Sequence, residues 1–232
     1  MIGRILILMI VFLSLVGCAD RDRDPRLVGI EDMISDSPKD AMDSLKSIDY
    51  QQLSEAERMY YDFLAVKSAD RGFVRHTSDS VILRVMDYAE KHDKERCAEA
   101  LYYGGRVYHD LGDFPVALNY YQNALDNLDD NGENDILEGC ILSQIAAVLN
   151  SLRLYGEAAT YIEQSIALDS LRNDTVNLVY DMELLGGIHL HAENYDQTES
   201  CFRKAKELAL EMSLADSTVQ NVHLAAVRYK KR

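Results

Sequence analysis

Apolar residues recur three and four positions apart along almost the whole chain, the spacing that gathers them on one face of an α-helix. The Val/Ile/Thr alternation of strands is missing, and beyond residue 25 only Pro38 and Pro115 interrupt the pattern. Turn and stop signals separate the periodic stretches: Ser-Asp-Ser-Pro at 35–38, Asp70-Arg71-Gly72, Gly112-Asp113, Asp129-Asp130-Asn131-Gly132 and Arg172-Asn173-Asp174. The pattern predicts an all-α chain of about eleven antiparallel helices and no sheet. One segment is not periodic. Residues 5–16 are continuously apolar and follow Arg4. A helix that crosses the bilayer needs about 20 residues, so this run fits the apolar core of a secretory signal instead.

The helical stripes repeat among themselves. Phe114-Pro115-Val116-Ala117 is followed by Tyr121 and Ala124, Tyr155-Gly156-Glu157-Ala158 by Ile162 and Ser165, and Tyr195-Asp196-Gln197-Thr198 by Phe202 and Ala205. Upstream, Leu101, Gly104-Gly105 and Tyr108 correspond to Leu142, Ile145-Ala146 and Leu149, then to Met182, Leu185-Gly186 and His189. Small residues at Gly105, Ala146 and Gly186 allow a paired helix to approach within about 8–10 Å, while the large ones fill the space between. Close packing accounts for one glycine of Gly104-Gly105 and of Gly186-Gly187; the pattern gives no reason for the other.

This pattern resembles the tetratricopeptide repeat (TPR). The unit from Ala98 through Gly112-Asp113-Phe114 to Leu125 matches the family at nearly every signature position. The next two depart from it: Arg153 and Glu193 stand where the turn glycine is usual, and Thr198 replaces the alanine. The period is about 40 residues against the family's 34, which implies longer helices and longer inter-repeat loops. The resemblance implies a right-handed TPR-type solenoid over 54–232. Its units would be a degenerate repeat at 54–92 (Tyr61, Leu64, Ala65; Ile82, Val85, Ala89), repeats at 98–131, 139–172 and 179–213, and a final half-repeat at 216–230. Residues 26–53 would supply N-terminal capping helices. In the half-repeat Asp216-Ser217 reads as an N-cap and Val219, Val222, Ala226 and Tyr229 as the inward stripe. Leu224 and Val227 fall off that stripe, a candidate contact for a partner.

A second resemblance carries an expected address. Leu15-Val16-Gly17-Cys18 resembles a bacterial lipobox, which implies a signal peptide at 1–17, lipidation of Cys18 and membrane attachment through its acyl chains. Residues 18–25 read as a polar tether. Ala19 and Asp20 follow the cysteine, which by the enteric sorting rule points to the outer membrane. The chain of 232 residues carries a net charge of −15, which argues against nucleic acid as a partner. Cys97, Cys140 and Cys201 form no Cys-x-x-Cys pair, so they read as packing thiols and not as a metal or redox site.

Little in the sequence suggests catalysis, a metal or a cofactor, and the chain reads as non-enzymatic. His189 and His191 are two residues apart on a helix, so their rings diverge. The glycine pairs follow no strand and precede no Gly-Lys-Ser/Thr, so they are not phosphate loops. The acidic run at 126–130 lacks the order of a calcium-binding EF-hand. Fourteen tyrosines against five phenylalanines and no tryptophan partly reflect repeat packing and partly suit a binding surface.

The TPR resemblance places the first helix of each repeat along a concave groove. It assigns Glu99, Tyr102, Arg106, His109 and Asp110 to that groove from the first full unit, and Ser143, Ala147, Asn150 and Ser151 from the second. Tyr180, Glu183, Gly187 and His191 come from the third. Only Arg106 and Asn150 resemble a clamp for a terminal carboxylate, so a chaperone-tail ligand is not expected. The expectation is a lipid-anchored scaffold that binds an extended neutral or basic segment of a protein partner. The alternative is a sensory or regulatory module, related to longer envelope signalling proteins, without the output tail.

Overall fold

Helix signals in the sequence become helices in a computed structural model, which describes residues 24–128 and 135–212. The expected leader (1–17), Cys18 and most of its tether, and the half-repeat 216–230 with Leu224 and Val227 lie outside the described residues. The described residues contain ten α-helices and divide between two compact units, with the boundary after Arg75.

In the first unit, α1 (Pro25–Ile34) and α2 (Pro38–Lys46) each start on a proline, a residue whose missing N–H is not needed there. The Asp24 side chain accepts from Arg26 N at 2.9 Å, so the end of the expected tether is already the cap of α1. After a 3₁₀ turn at Tyr50–Gln52, α3 runs over Glu55–Arg71. It opens with a reciprocal capping box: Glu57 N donates to Ser54 Oγ at 3.3 Å, and Ser54 N to Glu57 Oε2 at 2.7 Å. Leu27, Ile30 and Ile34 of α1, Ala41 and Leu45 of α2, and Phe63 and Leu64 of α3 are buried where the three helices pack. Tyr61 and Ala65 are only half-buried. The segment 54–92, read from sequence as one helix pair, contributes α3 to this unit and its later helix to the second.

The second unit begins with α4 (Ser80–His92), whose Ile82, Val85 and Ala89 are buried as its stripe predicts. Three helix pairs follow: α5 (Cys97–Leu111) with α6 (Phe114–Asp126), α7 (Asp135–Ser151) with α8 (Tyr155–Arg172), and α9 (Thr175–His191) with α10 (Tyr195–Glu211). These are the three full repeats. Tyr121, Ile162 and Phe202 are all fully buried. A Cβ on Gly105 would sit 2.3 Å from the Tyr121 ring, and one on Gly186 2.7 Å from the Phe202 ring, so the absence of a side chain lets each pair close. Gly104 has its own reason: a Cβ there would meet Met86 Sδ of α4 at 2.5 Å.

Where the signature fails, the backbone still follows it. Gly112 turns the chain out of α5 at φ 84°, and Arg153 and Glu193 take the same left-handed conformation at 64° and 63°. The turn hydrogen bonds repeat too, Asp113 N to Tyr108 O, Leu154 N to Leu149 O and Asn194 N to His189 O. Thr198, in the alanine position, is buried and donates its hydroxyl to Asn194 O at 2.9 Å, which satisfies the added polar atom. The longer period lies in the helices from the second repeat to the third, whereas eight residues separate α6 from α7 between the first and the second. Between the second and third repeats there is no long loop: only Asn173, left-handed at φ 56°, and Asp174 separate α8 from α9. Asp174 also caps α9 by accepting from Asn177 N at 3.1 Å.

Candidate functional site

The first helices of the three repeats, α5, α7 and α9, are joined by polar contacts along one side. Arg106 Nη1 of α5 donates to Gln144 Oε1 of α7 at 2.6 Å. Asn150 Oδ1 of α7 lies 2.9 Å from His191 Nδ1 of α9, and the His191 ring is 6.0 Å from that of Tyr155. Arg106 and Asn150 are half-buried, and His191 is exposed. These links hold both side chains in place before any ligand arrives.

Other expected residues lie elsewhere. Tyr102 is 8% exposed, with its ring 5.0 Å from Tyr103 and 6.0 Å from Tyr121. It belongs to the core of the first repeat and offers no aromatic lip, because its apolar area is used in closing α5 against α6. The exposed aromatic of the three helices is Tyr180, at 62%. His109 is half-buried, edge-on to Phe114 at 5.5 Å across the turn between α5 and α6. Asp110 accepts from His76 N at 2.8 Å, and Tyr108 donates to Asp79 at 2.7 Å. That phenol is pushed up to about 12, first by its bond to Asp79. The segment before α4 is thereby tied to the end of α5.

Glu99 and Glu183 are half-buried. Ser143 turns from the face to bond Asp181 at 2.8 Å. A Cβ on Gly187 would meet nothing within 4 Å. The repeat positions of Arg106, Ala147 and Gly187 correspond, so the side chains at this level shrink from the first repeat to the third.

His189 is half-buried, and burial lowers its pKa, while His191 turns outward to Asn150; the two imidazoles do not converge. Among the described residues no group of His, Cys, Asp or Glu is arranged to hold a metal ion, and no helix is long and apolar enough to cross a membrane. Cys97 is buried and Cys140 and Cys201 half-buried; burial raises the thiol pKa of Cys97 and Cys201, which makes both less reactive. Gln144 was not anticipated as the partner of Arg106, because a glutamine on a helix face carries no sequence signal of what stands opposite.

No protein-family model and no curated protein sequence matches the chain. Solved structures share its fold. The apo form of RapI matches with a TM-score of 0.66 at 16% identity, over 92% of this chain and 62% of that one. A STAND protein with a tetratricopeptide repeat sensor, PH0952 from Pyrococcus horikoshii, matches with 0.64 at 19%, over 89% and 33%. BtubC from P. vanneervenii matches with 0.62 at 15%, over 85% and 82%. The chain therefore spans less than two thirds of RapI and about a third of PH0952. At such identities the likeness is one of fold: an all-α, TPR-like helical repeat.

Proposed function

We propose that this protein is a non-enzymatic, lipid-anchored repeat adaptor of the bacterial envelope, held at the outer membrane through Cys18, that binds an extended segment of a protein partner along α5, α7 and α9. The observation that carries the reading is the pair of cross-repeat links, Arg106 to Gln144 and Asn150 to His191. A ligand that meets side chains already held in place loses less freedom on binding than one that must order them. Half-buried Glu99 and Glu183 and a net charge of −15 favour a neutral or basic segment.

Crosslinking in intact cells, followed by pull-down, tests this. The wild-type protein is compared with Cys18→Ala and with an Arg106→Ala/Asn150→Ala double variant. The expected result is one protein that co-purifies with the wild type, is lost on delocalisation in Cys18→Ala, and is retained about tenfold or more less by the double variant, equivalent to about 1.4 kcal/mol. A partner that ignores the double variant would remove the face from consideration. A partner whose own output changes on binding would favour the regulatory alternative.

A further inference from the structure

The second and third repeats meet around a polar cluster where the repeat pattern calls for apolar residues. Asp181 of α9 is 3% exposed and Asp169 of α8 is 1% exposed. The positions equivalent to Asp181 hold Ala100 and Ile141, and those equivalent to Asp169 hold Leu128 and Ala209. Ser143 Oγ of α7 donates to Asp181 Oδ1 at 2.8 Å. Ser165 of α8 also lies beside this carboxyl, but donates its single hydroxyl hydrogen to Gly139 O at 2.9 Å. Asp169 is ion-paired with Arg172, and its carboxyl meets that of Asp181. Gly139 leaves room for the group: a Cβ there would lie 3.2 Å from Arg172 Nη2 and 3.3 Å from Asp169 Oδ1.

The cluster has too few donors for two carboxylates. A carboxylate only accepts. The hydrogen of Ser143 is on Oδ1, that of Ser165 is on the Gly139 carbonyl, and Arg172 faces Asp169. Asp181 Oδ2 is buried with no donor, opposite another carboxyl. Two ionised carboxylates in contact away from water repel each other and are poorly solvated. One proton removes the conflict: carried by Asp181, it supplies an O–H to the Asp169 carboxylate, whose charge Arg172 balances.

We propose that Asp169 and Asp181 share one proton and form a latch between the second and third repeats, closed while the proton is held and loosened when it passes to a base in solvent. Opening leaves two carboxylates against one guanidinium. The elements around the pair define its field. From α7 it is faced by Gly139 and Ser143, neither of them ionisable, and from α8 by Ser165, Asp169 and Arg172; Asp174, at the start of α9, adds a negative field on Asp169. Burial, the main cause, pushes Asp181 up to about 6 and raises Asp169 as well. A carboxyl with a folded pKa above its unfolded one stabilises the fold fully below the unfolded value and loses that contribution as pH rises through the folded one. The junction is firmest in mild acid and weakens toward pH 8. This inference stands whether or not α5, α7 and α9 bind a peptide.

The test follows the full-length protein by infrared spectroscopy and by amide hydrogen exchange corrected for intrinsic rates, from about pH 4.5 to about pH 8. In the wild type, a protonated-carboxyl carbonyl band should fade with a midpoint near 6, and protection in α9 should fall about tenfold or more over the same range. Asp181→Asn, neutral at every pH, should lack the component of the band that fades near pH 6 and keep level protection. A wild type with no protonated carboxyl above pH 5 overturns the proposal, and this measurement needs no variant to fold. An Asp181→Asn protein with the wild-type band and pH profile overturns it equally.

Discussion

A single Cβ separates the two glycines of the third repeat. On Gly186 it would lie 2.7 Å from the Phe202 ring; on Gly187 it would meet nothing. Gly187→Ala should therefore raise stability by up to about 1 kcal/mol, the helix-propensity gain of alanine over glycine. Gly105→Ala, aimed at the Tyr121 ring, should lower it by about 1–3 kcal/mol through overpacking. Urea unfolding midpoints of the two variants decide the matter, and an equal response would show that the repeat register is misplaced. Arg153 and Glu193 give a converse pair. Each holds φ above 60° in a turn that Gly112 makes without a side chain. Left-handed backbone costs an L-residue roughly 1–2 kcal/mol, and glycine returns part of that through the unfolded chain. Arg153→Gly and Glu193→Gly should each gain up to about 1 kcal/mol in the same assay; a loss at either would mean that the side chain holds the turn by contacts of its own.

Helices are where the sequence was most legible. Apolar periodicity located α5 to α10, since a stripe of Ala117, Tyr121 and Ala124 has one use in a helix pair. It could not say that Asn173 and Asp174 are the whole junction between the second and third repeats while eight residues separate the first from the second, because turn signals mark a stop without measuring a loop. The candidate site was less legible for a related reason. The repeat assigned Tyr102 and Arg106 to one face, yet a helical wheel cannot tell an aromatic that lines a face from one that closes the pair behind it. The buried acids had a signal, Asp181 against Ala100 and Ile141 at the same repeat position, visible only when units are compared residue by residue. At this scale the capping box of α3 is also testable. Ser54→Ala removes the acceptor of Glu57 N and should lower the thermal midpoint by the equivalent of about 1 kcal/mol. An unchanged midpoint would mean that the 3₁₀ turn before α3 fixes its start instead.

Taken whole, the molecule carries 39 acidic against 24 basic residues, a field that reaches about 10 Å at 0.1 M salt. If the proposed partner is basic, raising ionic strength from about 0.05 to about 0.5 M should slow association several-fold and change dissociation less. Stopped-flow rates measure this, and a salt-independent on-rate would point to an apolar ligand. The two-residue junction between α8 and α9 also bears on how the chain would carry load. A pull can be absorbed by slack connecting chain only where such chain separates two helices. Between the second and third repeats there is none, since Asn173 makes the bend and Asp174 already caps the next helix. Tension on either repeat passes straight into its neighbour, so under a stretching force the two should yield together, in one extension step instead of two.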